Sequence, residues 1–360
     1  MSKIAFDYNN YMTIEALEDN VEIIVPRLVE YGIDGIGWKP IQGTIYASSG
    51  QRISIKYSLG KMEMFGNIKI SGKCNLCGNC MSLVFGDDAI NQKDLSRYIK
   101  CFYELFKGCS GICAVQTGFL PATTLAAHCY SYMFQDCIEL TQAPELPATT
   151  LTNWCYSHMF QDCIGLTQAP ELPATTLASN CYLSMFRGCT SLVNAPELPA
   201  TTLVLSCYRW MFIHCTSLNV ITMLATDISA SYCLDEWVDG VASTDGTFIK
   251  AASMTSLPSG DSGVPAGWTV VNDGEENGRG EVKLISFTIV EGIFPAIEVE
   301  YNAIEGMTWV EWVDSEYNTG GYYIYDKRVL TPDGINVSYS DTGRGVLTDE
   351  VIISKKYVLN

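Results

Sequence analysis

The chain has few basic residues and no long apolar run, and each shortage excludes a class of partner. Its 22 lysines and arginines face 40 aspartates and glutamates, which gives a formal net charge of -18. That charge opposes the negative charge of nucleic acid and of anionic lipid headgroups, so neither is expected as a partner. No segment reaches the roughly 18 uninterrupted apolar residues of a membrane-spanning helix, so membrane insertion is not expected either.

Histidine is also scarce, and the pattern of reactive residues does not favour catalysis. The only histidines are His128, His158 and His214. They fall at three different phases of the repeat described below and outside its apolar positions, which is typical of surface variation. Nucleophilic catalysis needs a nucleophile, a base and an orienting group, and no such set or phosphate-binding glycine loop stands out. We expect no enzyme, no catalytic residue, no metal and no cofactor.

The first ten residues turn acidic and polar where a secretory signal would have its apolar stretch. On that pattern the protein is expected to be made and kept in the cytoplasm, unless a process other than signal-directed secretion releases it.

An internal sequence repeat organises the middle of the chain. The hexapeptide Leu-Pro-Ala-Thr-Thr-Leu begins at Leu120, Leu146, Leu172 and Leu198, a constant interval of 26, and a decayed copy begins at Leu224. Two series of cysteines keep the same interval: Cys129, Cys155, Cys181, Cys207 and Cys233; and Cys137, Cys163, Cys189 and Cys215. The array begins by about residue 100 and fades near residue 240, and its period in the twenties is typical of leucine-rich repeats.

Each repeat unit has an extended and a compact part. The segment 140–147 contains two prolines, so it is expected to be extended with few ladder hydrogen bonds. Cys155, Met159 and Cys163 are spaced at i, i+4 and i+8, which predicts one inward stripe of a helix. The predicted core of the protein is therefore a leucine-rich-repeat solenoid with a strand side and a helical side.

The fifteen cysteines are interpreted as reduced, buried residues. Two thiols eight residues apart on one helix would lie about 12 Å apart, beyond the reach of a disulfide. The alternative, a metal or redox array, lacks clustered histidine and carboxylate companions.

The cluster of Cys74, Cys77 and Cys80 has the spacing of an iron–sulfur ligand set, but a fourth cysteine does not follow and position 84 is Val. Thiols buried where the array begins are the preferred interpretation. A zinc site completed by a distant cysteine stays open.

The repeat sequence resembles a known family. The segments 155–163 and 185–192, joined by Ala-Pro-Glu-Leu-Pro-Ala-Thr-Thr-Leu, are similar to the BspA-like leucine-rich-repeat proteins of gut Bacteroidales and their phages. The resemblance covers roughly residues 76–270, since 78–88 resembles the segment that opens such arrays, and 246–250 and 263–270 resemble the segment that closes them.

The resemblance implies adhesion or display without catalysis. The missing signal favours a phage virion protein, such as a tail-fibre, receptor-binding or decoration protein, assembled in the host cytoplasm. The alternative is a bacterial cell-surface adhesin. The expected partners are other virion proteins or a host cell-surface protein or glycan, with self-association as a homo-oligomer, most simply a trimer.

Four regions follow from these patterns. Residues 1–73 alternate apolar and polar residues between turn formers and are predicted to form a β-rich domain. Residues 74–271 are the solenoid with its caps, 272–281 a linker, and 282–360 a small α+β module with a helix over 308–317.

Candidate binding residues are large side chains at positions that vary between repeats, because repeat proteins usually bind through such positions. On the predicted helical side these are Tyr132, Trp154, Trp210 and His214. The alternative role is packing between coils or against a neighbouring domain. A column of like charges, Glu145, Glu171 and Glu197, is expected on the strand side, either solvated or binding a cation.

Overall fold

The computed structural model describes residues 6–57, 66–241 and 246–274, together with the backbone of six short strands beyond residue 280. The chain divides into two compact units, Met1–Asp273 and Gly274–Asn360. No helix in the described ranges is long and apolar enough to cross a bilayer.

The first unit opens with a seven-stranded sheet. Its strands are β1 (Met12–Ala16), β2 (Val21–Ile33), β3 (Ile36–Ala47), β4 (Arg52–Lys56), β5 (Lys69–Ser71), β6 (Cys74–Cys77) and β7 (Ile112–Val115). Their order is β3-β2-β4-β1-β6-β7, with β5 paired to the first part of β2. Strand β6 pairs antiparallel with β1 and parallel with β7, so one sheet crosses residue 73 and continues into the repeats.

Apolar alternation explains the inner strands of this sheet. In β1 and β4, Met12, Ile14, Ile53 and Ile55 are fully buried, and Ile14 lies opposite Ile53. The outermost strand, β3, carries Pro40 and two glycines and is largely exposed. These are residues that an edge strand tolerates because one row of its backbone groups has no ladder partner.

The repeats do not contain the predicted helices. The only α-helix in the described part of the chain is α1 (Ser82–Phe85), which precedes them, and a 3-10 helix follows it at Gly86–Asn91. Each compact segment is instead a run of tight turns, four residues per turn. The predicted fold class, a leucine-rich-repeat solenoid with a strand and a helical side, is therefore wrong.

Backbone hydrogen bonds alternate along each run of turns. In residues 154–163, every second N–H closes its own turn, as from Ser157 to the Trp154 carbonyl oxygen at 3.3 Å. The intervening N–H groups donate to the next repeat, as from His158 to the Leu183 carbonyl oxygen at 2.8 Å. Successive repeats are thus joined directly through their backbones.

The proline-containing segments also run alongside one another, but only through isolated parallel bridges. One series links Ala114, Gln142, Gln168, Asn194 and Val220 in turn. Longer ladders do not form here because proline has no N–H to donate. A three-stranded parallel sheet follows the last repeat, made of β8 (Val220–Met223), β9 (Thr247–Lys250) and β10 (Thr269–Asn272) in the order β10-β9-β8.

The core of the repeats consists of columns of identical side chains. The rings of Phe106, Phe134, Phe160, Phe186 and Phe212 stack with centroids 5.7 to 5.8 Å apart. Tyr130, Tyr156, Tyr182 and Tyr208 form a second buried stack. Cys155, Met159 and Cys163 are fully buried, so the stripe is inward-facing although its backbone is not helical.

Among the described residues of the second unit, the strands form three two-stranded pairings. Strand β12 (Leu284–Val290) pairs antiparallel with β13 (Ala296–Tyr301). The other pairs are β11 (Glu281–Val282) with β16 (Tyr357–Val358), and β14 (Val310–Glu311) with β15 (Lys327–Arg328). Strand β14 lies within the predicted helix 308–317, which is wrong at these two residues. The rest of that helix and most of the predicted linker, 275–280, lie outside the described residues.

Candidate binding face

The side of the repeats that carries the left-handed residues of the turns, between residues 99 and 240, is here called the turn face; Ser184, Gly188 and Ser206 are buried within it. One outer residue of each turn has a left-handed backbone, with φ between +48° and +78°. These left-handed positions form three columns across the repeats: Lys100, His128, Trp154, Asn180, Ser206 and Tyr232; Glu104, Tyr132, His158, Ser184, Trp210 and Glu236; and Gly108, Asp136, Asp162, Gly188, His214 and Gly240.

Left-handed backbone normally selects glycine, asparagine or aspartate, because other L-residues lose about 1 to 2 kcal/mol there. Six of the eighteen positions carry such residues. Seven others carry a large ring, namely His128, Tyr132, Trp154, His158, Trp210, His214 and Tyr232. The turn face therefore keeps bulky side chains where the backbone disfavours them.

All four sequence-predicted binding residues occupy left-handed positions on this face. Tyr132 and Trp154 lie in adjacent repeats. Trp210 and His214 lie in one repeat, two repeats beyond Trp154. Their neighbours divide the face into two groups.

The first group, here called the aromatic patch, consists of Tyr103, His128, Tyr132, Trp154 and His158. Tyr132 stacks on His158 with centroids 4.3 Å apart, and Trp154 stacks on His128 at 5.5 Å. Tyr103 contacts Tyr132 edge-on at 5.5 Å. Such ring pairs contribute about 0.5 to 1.5 kcal/mol beyond the area they bury.

The second group, here called the Arg209 cluster, consists of Arg209, Trp210, Tyr232, Asp235 and Glu236. The Arg209 guanidinium lies 4.0 Å from the Trp210 ring centroid and 5.1 Å from that of Tyr232. Arg209 Nε donates to Asp235 at 2.9 Å, and Trp210 Nε1 donates to Glu236 at 3.1 Å. The Arg209 guanidinium, the two carboxylates and the Trp210 indole N–H of this cluster are thus already paired within the protein.

His214 is exposed and belongs to neither group. A Cβ added at Gly240 would lie 2.7 Å from His214 Cδ2, so the imidazole lies over the glycine of the next repeat. Asp162 covers Gly188 in the same way. His214 therefore packs against the next repeat, which is the alternative role considered for it from the sequence.

Sequence reasoning missed Tyr103, His128, His158 and Tyr232. The three at left-handed positions share their phase with Tyr132, Trp154 and Trp210, so aligning the repeats four residues at a time would have found them. The interpretation of these segments as helices did not consider a period of four residues, so the histidines were assigned to unrelated surface positions.

The electrostatics of the aromatic patch follow from partial burial beside lysines and carboxylates. Burial, reinforced by Arg187 and Lys107, lowers the pKa of His158 to about 4. Burial together with the neighbouring Asp162 raises the pKa of Asp136. Lys107 Nζ lies 5.1 Å from the centroid of the Tyr132 ring, a cation–π contact at the edge of the patch.

Several acceptors beside the patch have no partner among the described residues. The Asp136 carboxylate makes no ion pair or hydrogen bond there. The Oε1 atom of Gln135 and the Oγ atom of Ser184 are buried without a hydrogen-bond partner. Unpaired buried polar atoms are rare in folded proteins and call for a specific explanation.

The cysteines lie away from this face. All fifteen are free, and all are buried except Cys77 and Cys113, which are partly exposed. In one column each thiol donates to the carbonyl of a phenylalanine in the preceding repeat, as from Cys163 Sγ to the Phe134 oxygen at 3.1 Å. Burial raises the pKa of Cys155 to about 12 and keeps its thiol protonated.

Cys74, Cys77 and Cys80 do not form a metal site in the structure. Cys74 and Cys80 are buried, and burial raises the pKa of the partly exposed Cys77 to about 11. Across the described ranges, no three histidine, cysteine, aspartate or glutamate residues are placed to hold a metal ion.

Glu145, Glu171 and Glu197 are exposed, on the proline-containing side of the repeats.

Comparison with protein-family models, with curated proteins and with solved structures finds no match to the chain.

Proposed function

We propose that the protein is a non-catalytic virion protein, of the tail-fibre, receptor-binding or decoration kind, that binds its partner through the turn face. One observation carries the proposal. Seven large rings are kept at left-handed positions, where glycine or asparagine would be less strained. Local backbone strain persists where the surrounding structure imposes it, and it clusters at sites that bind or react.

The chemistry of the described residues supports binding over catalysis. The thiols that could act as nucleophiles are mostly buried, and burial raises their pKa, so the reactive thiolate is suppressed. The His158 ring is stacked on Tyr132, and its Nδ1 lies 2.6 Å from the Ser157 hydroxyl. The tyrosine, tryptophan and arginine side chains of the turn face, by contrast, are partly or fully exposed, and these residue types are enriched among those that dominate binding energies at interfaces.

The assignment to a virion is supported by the resemblance of the repeats to proteins of Bacteroidales and their phages. The experiment is mass spectrometry of purified particles beside washed host cells. The protein is expected in the particles. Its absence from particles and presence in the outer-membrane fraction would instead make it a bacterial cell-surface adhesin.

Virion proteins of this kind are commonly symmetric oligomers, so we also propose self-association, as a trimer through a terminal region. Light scattering coupled to size-exclusion chromatography of the full chain measures this directly. A mass of one chain across micromolar concentrations would exclude it.

A further inference from the structure

We infer that the aromatic patch, with Gln135 and Asp136 beside it, binds a neutral saccharide. This inference rests on the proposed function, because it names the ligand class of the same turn face.

The patch offers flat rings at its centre. Trp154 and His158 each have one ring face stacked on a ring of the preceding repeat, His128 and Tyr132 respectively. In the following repeat the equivalent positions hold the small residues Asn180 and Ser184. The stack of rings therefore ends at Trp154 and His158. An aromatic face of this kind suits the C–H face of a sugar ring, since the π-system is electron-rich.

The polar groups beside the rings are acceptors that need donors. The Asp136 carboxylate is unpartnered, and Gln135 Oε1 is buried without a partner, in the described part of the chain. Gln135 and Asp136 lie in the turn after Tyr132, and the Gln135 N–H donates to the Tyr132 carbonyl oxygen at 3.2 Å. Hydroxyl groups would supply the missing donors, and a site built for hydroxyls discriminates strongly against ligands that lack them.

Charge excludes the other ligand classes that stack on rings. The net charge of -18 and the adjacent Asp136 and Asp162 disfavour acidic sugars and nucleotides. Lys100 and Lys107 already lie against Tyr103 and Tyr132, at 5.6 and 5.1 Å from the ring centroids, so a cationic ligand would meet like charges.

The test is retention of the full chain on an array of immobilised neutral, amino and acidic oligosaccharides. The wild-type protein should bind a subset of the neutral ones. Trp154→Gly should weaken that binding at least tenfold, because it removes a ring without straining the left-handed backbone. The matched control is Asn20→Gly, at an exposed left-handed position outside the repeats and the turn face, which should bind as the wild type does.

A second readout uses Asp136→Gly, which removes the carboxylate acceptors, suits the left-handed backbone and leaves every ring in place. It should weaken binding of the same oligosaccharide severalfold without changing the melting temperature. Retention of only acidic glycans, of none, or equal retention of Trp154→Gly and wild type would overturn the inference. Attachment of the protein to periodate-oxidised host cells as well as to untreated ones would also overturn it, while leaving the proposed function intact.

Discussion

At the scale of single residues, side chains on the turn face should contribute little to the stability of the protein, whereas side chains in the core contribute much. Trp154 is strained in its backbone yet stacked on His128, whereas Phe160 is fully buried between Phe134 and Phe186. A side chain at a left-handed position can be removed at little cost, because the loss of contacts is offset by the relief of strain. The same change in the core has no such compensation.

Trp154→Gly should therefore change the free energy of unfolding by less than about 1 kcal/mol, since relief of about 1 to 2 kcal/mol of strain opposes the lost stacking. Phe160→Ala should lower it by about 3 to 5 kcal/mol, because it opens a cavity in the phenylalanine stack. Denaturant titration of both variants measures the difference. Equal losses would show that Trp154 is a core residue.

His158 should make the protein sensitive to acid. Its pKa is lowered to about 4 from its ordinary 6.5. Between pH 4 and pH 6.5, therefore, this side chain is protonated in the unfolded chain and neutral in the folded chain. The stability contributed by neutral His158 is complete above pH 6.5 and is lost as the pH falls toward 4. His158→Asn, which tolerates the left-handed backbone, should flatten the pH dependence of unfolding across this window.

At the scale of the structural element, the helix prediction failed for an identifiable reason. The turns repeat every four residues and an α-helix every 3.6, so over the eight residues from Cys155 to Cys163 the two patterns nearly coincide. Spacing alone could identify the buried side. Spacing could not reveal that the residue before each buried pair has a left-handed backbone. Glycine at that position would have indicated such a backbone, but tryptophan, histidine and tyrosine do not.

The buried cysteines of the repeats should not react with thiol reagents in the native state. Only Cys77 and Cys113 are partly exposed, and burial raises the pKa of both. A thiol reagent at neutral pH should modify at most these two in the native protein, slowly, and all fifteen after denaturation without reductant. Rapid modification of more than two would show that the columns open, and blocked thiols after denaturation would indicate disulfides.

At the scale of the whole molecule, the sequence allowed the period of the array to be predicted, because the hexapeptide and the cysteines recur at one constant interval. It did not show that the sheet crosses residue 73. The pairing of β6 with β1 joins segments that are distant in the sequence, as between Ile14 and Leu76, and nothing in their local pattern specifies that partner.

Joining of the repeats through their backbones makes the length of the array adjustable by whole units. Deleting residues 152–177 removes one full period. The residue that then follows Leu151 occupies the same position in its repeat as the residue that was deleted, so each backbone N–H that donates to the next repeat would keep a partner. This variant should still unfold cooperatively, with a somewhat lower midpoint by circular dichroism. Deleting residues 152–164, half a period, should abolish the cooperative transition. If both deletions behave alike, the repeats do not depend on their register.

The most direct test of the central claim, that the turn face is the binding surface, is the attachment of purified protein to host cells. Wild type is compared with the double variant Trp154→Gly and Trp210→Gly, which removes a ring from each of the two groups at positions where glycine suits the backbone. With melting temperatures matched, the double variant should lose at least tenfold in apparent affinity. Attachment equal to that of the wild type would contradict the claim and leave these rings as packing between repeats.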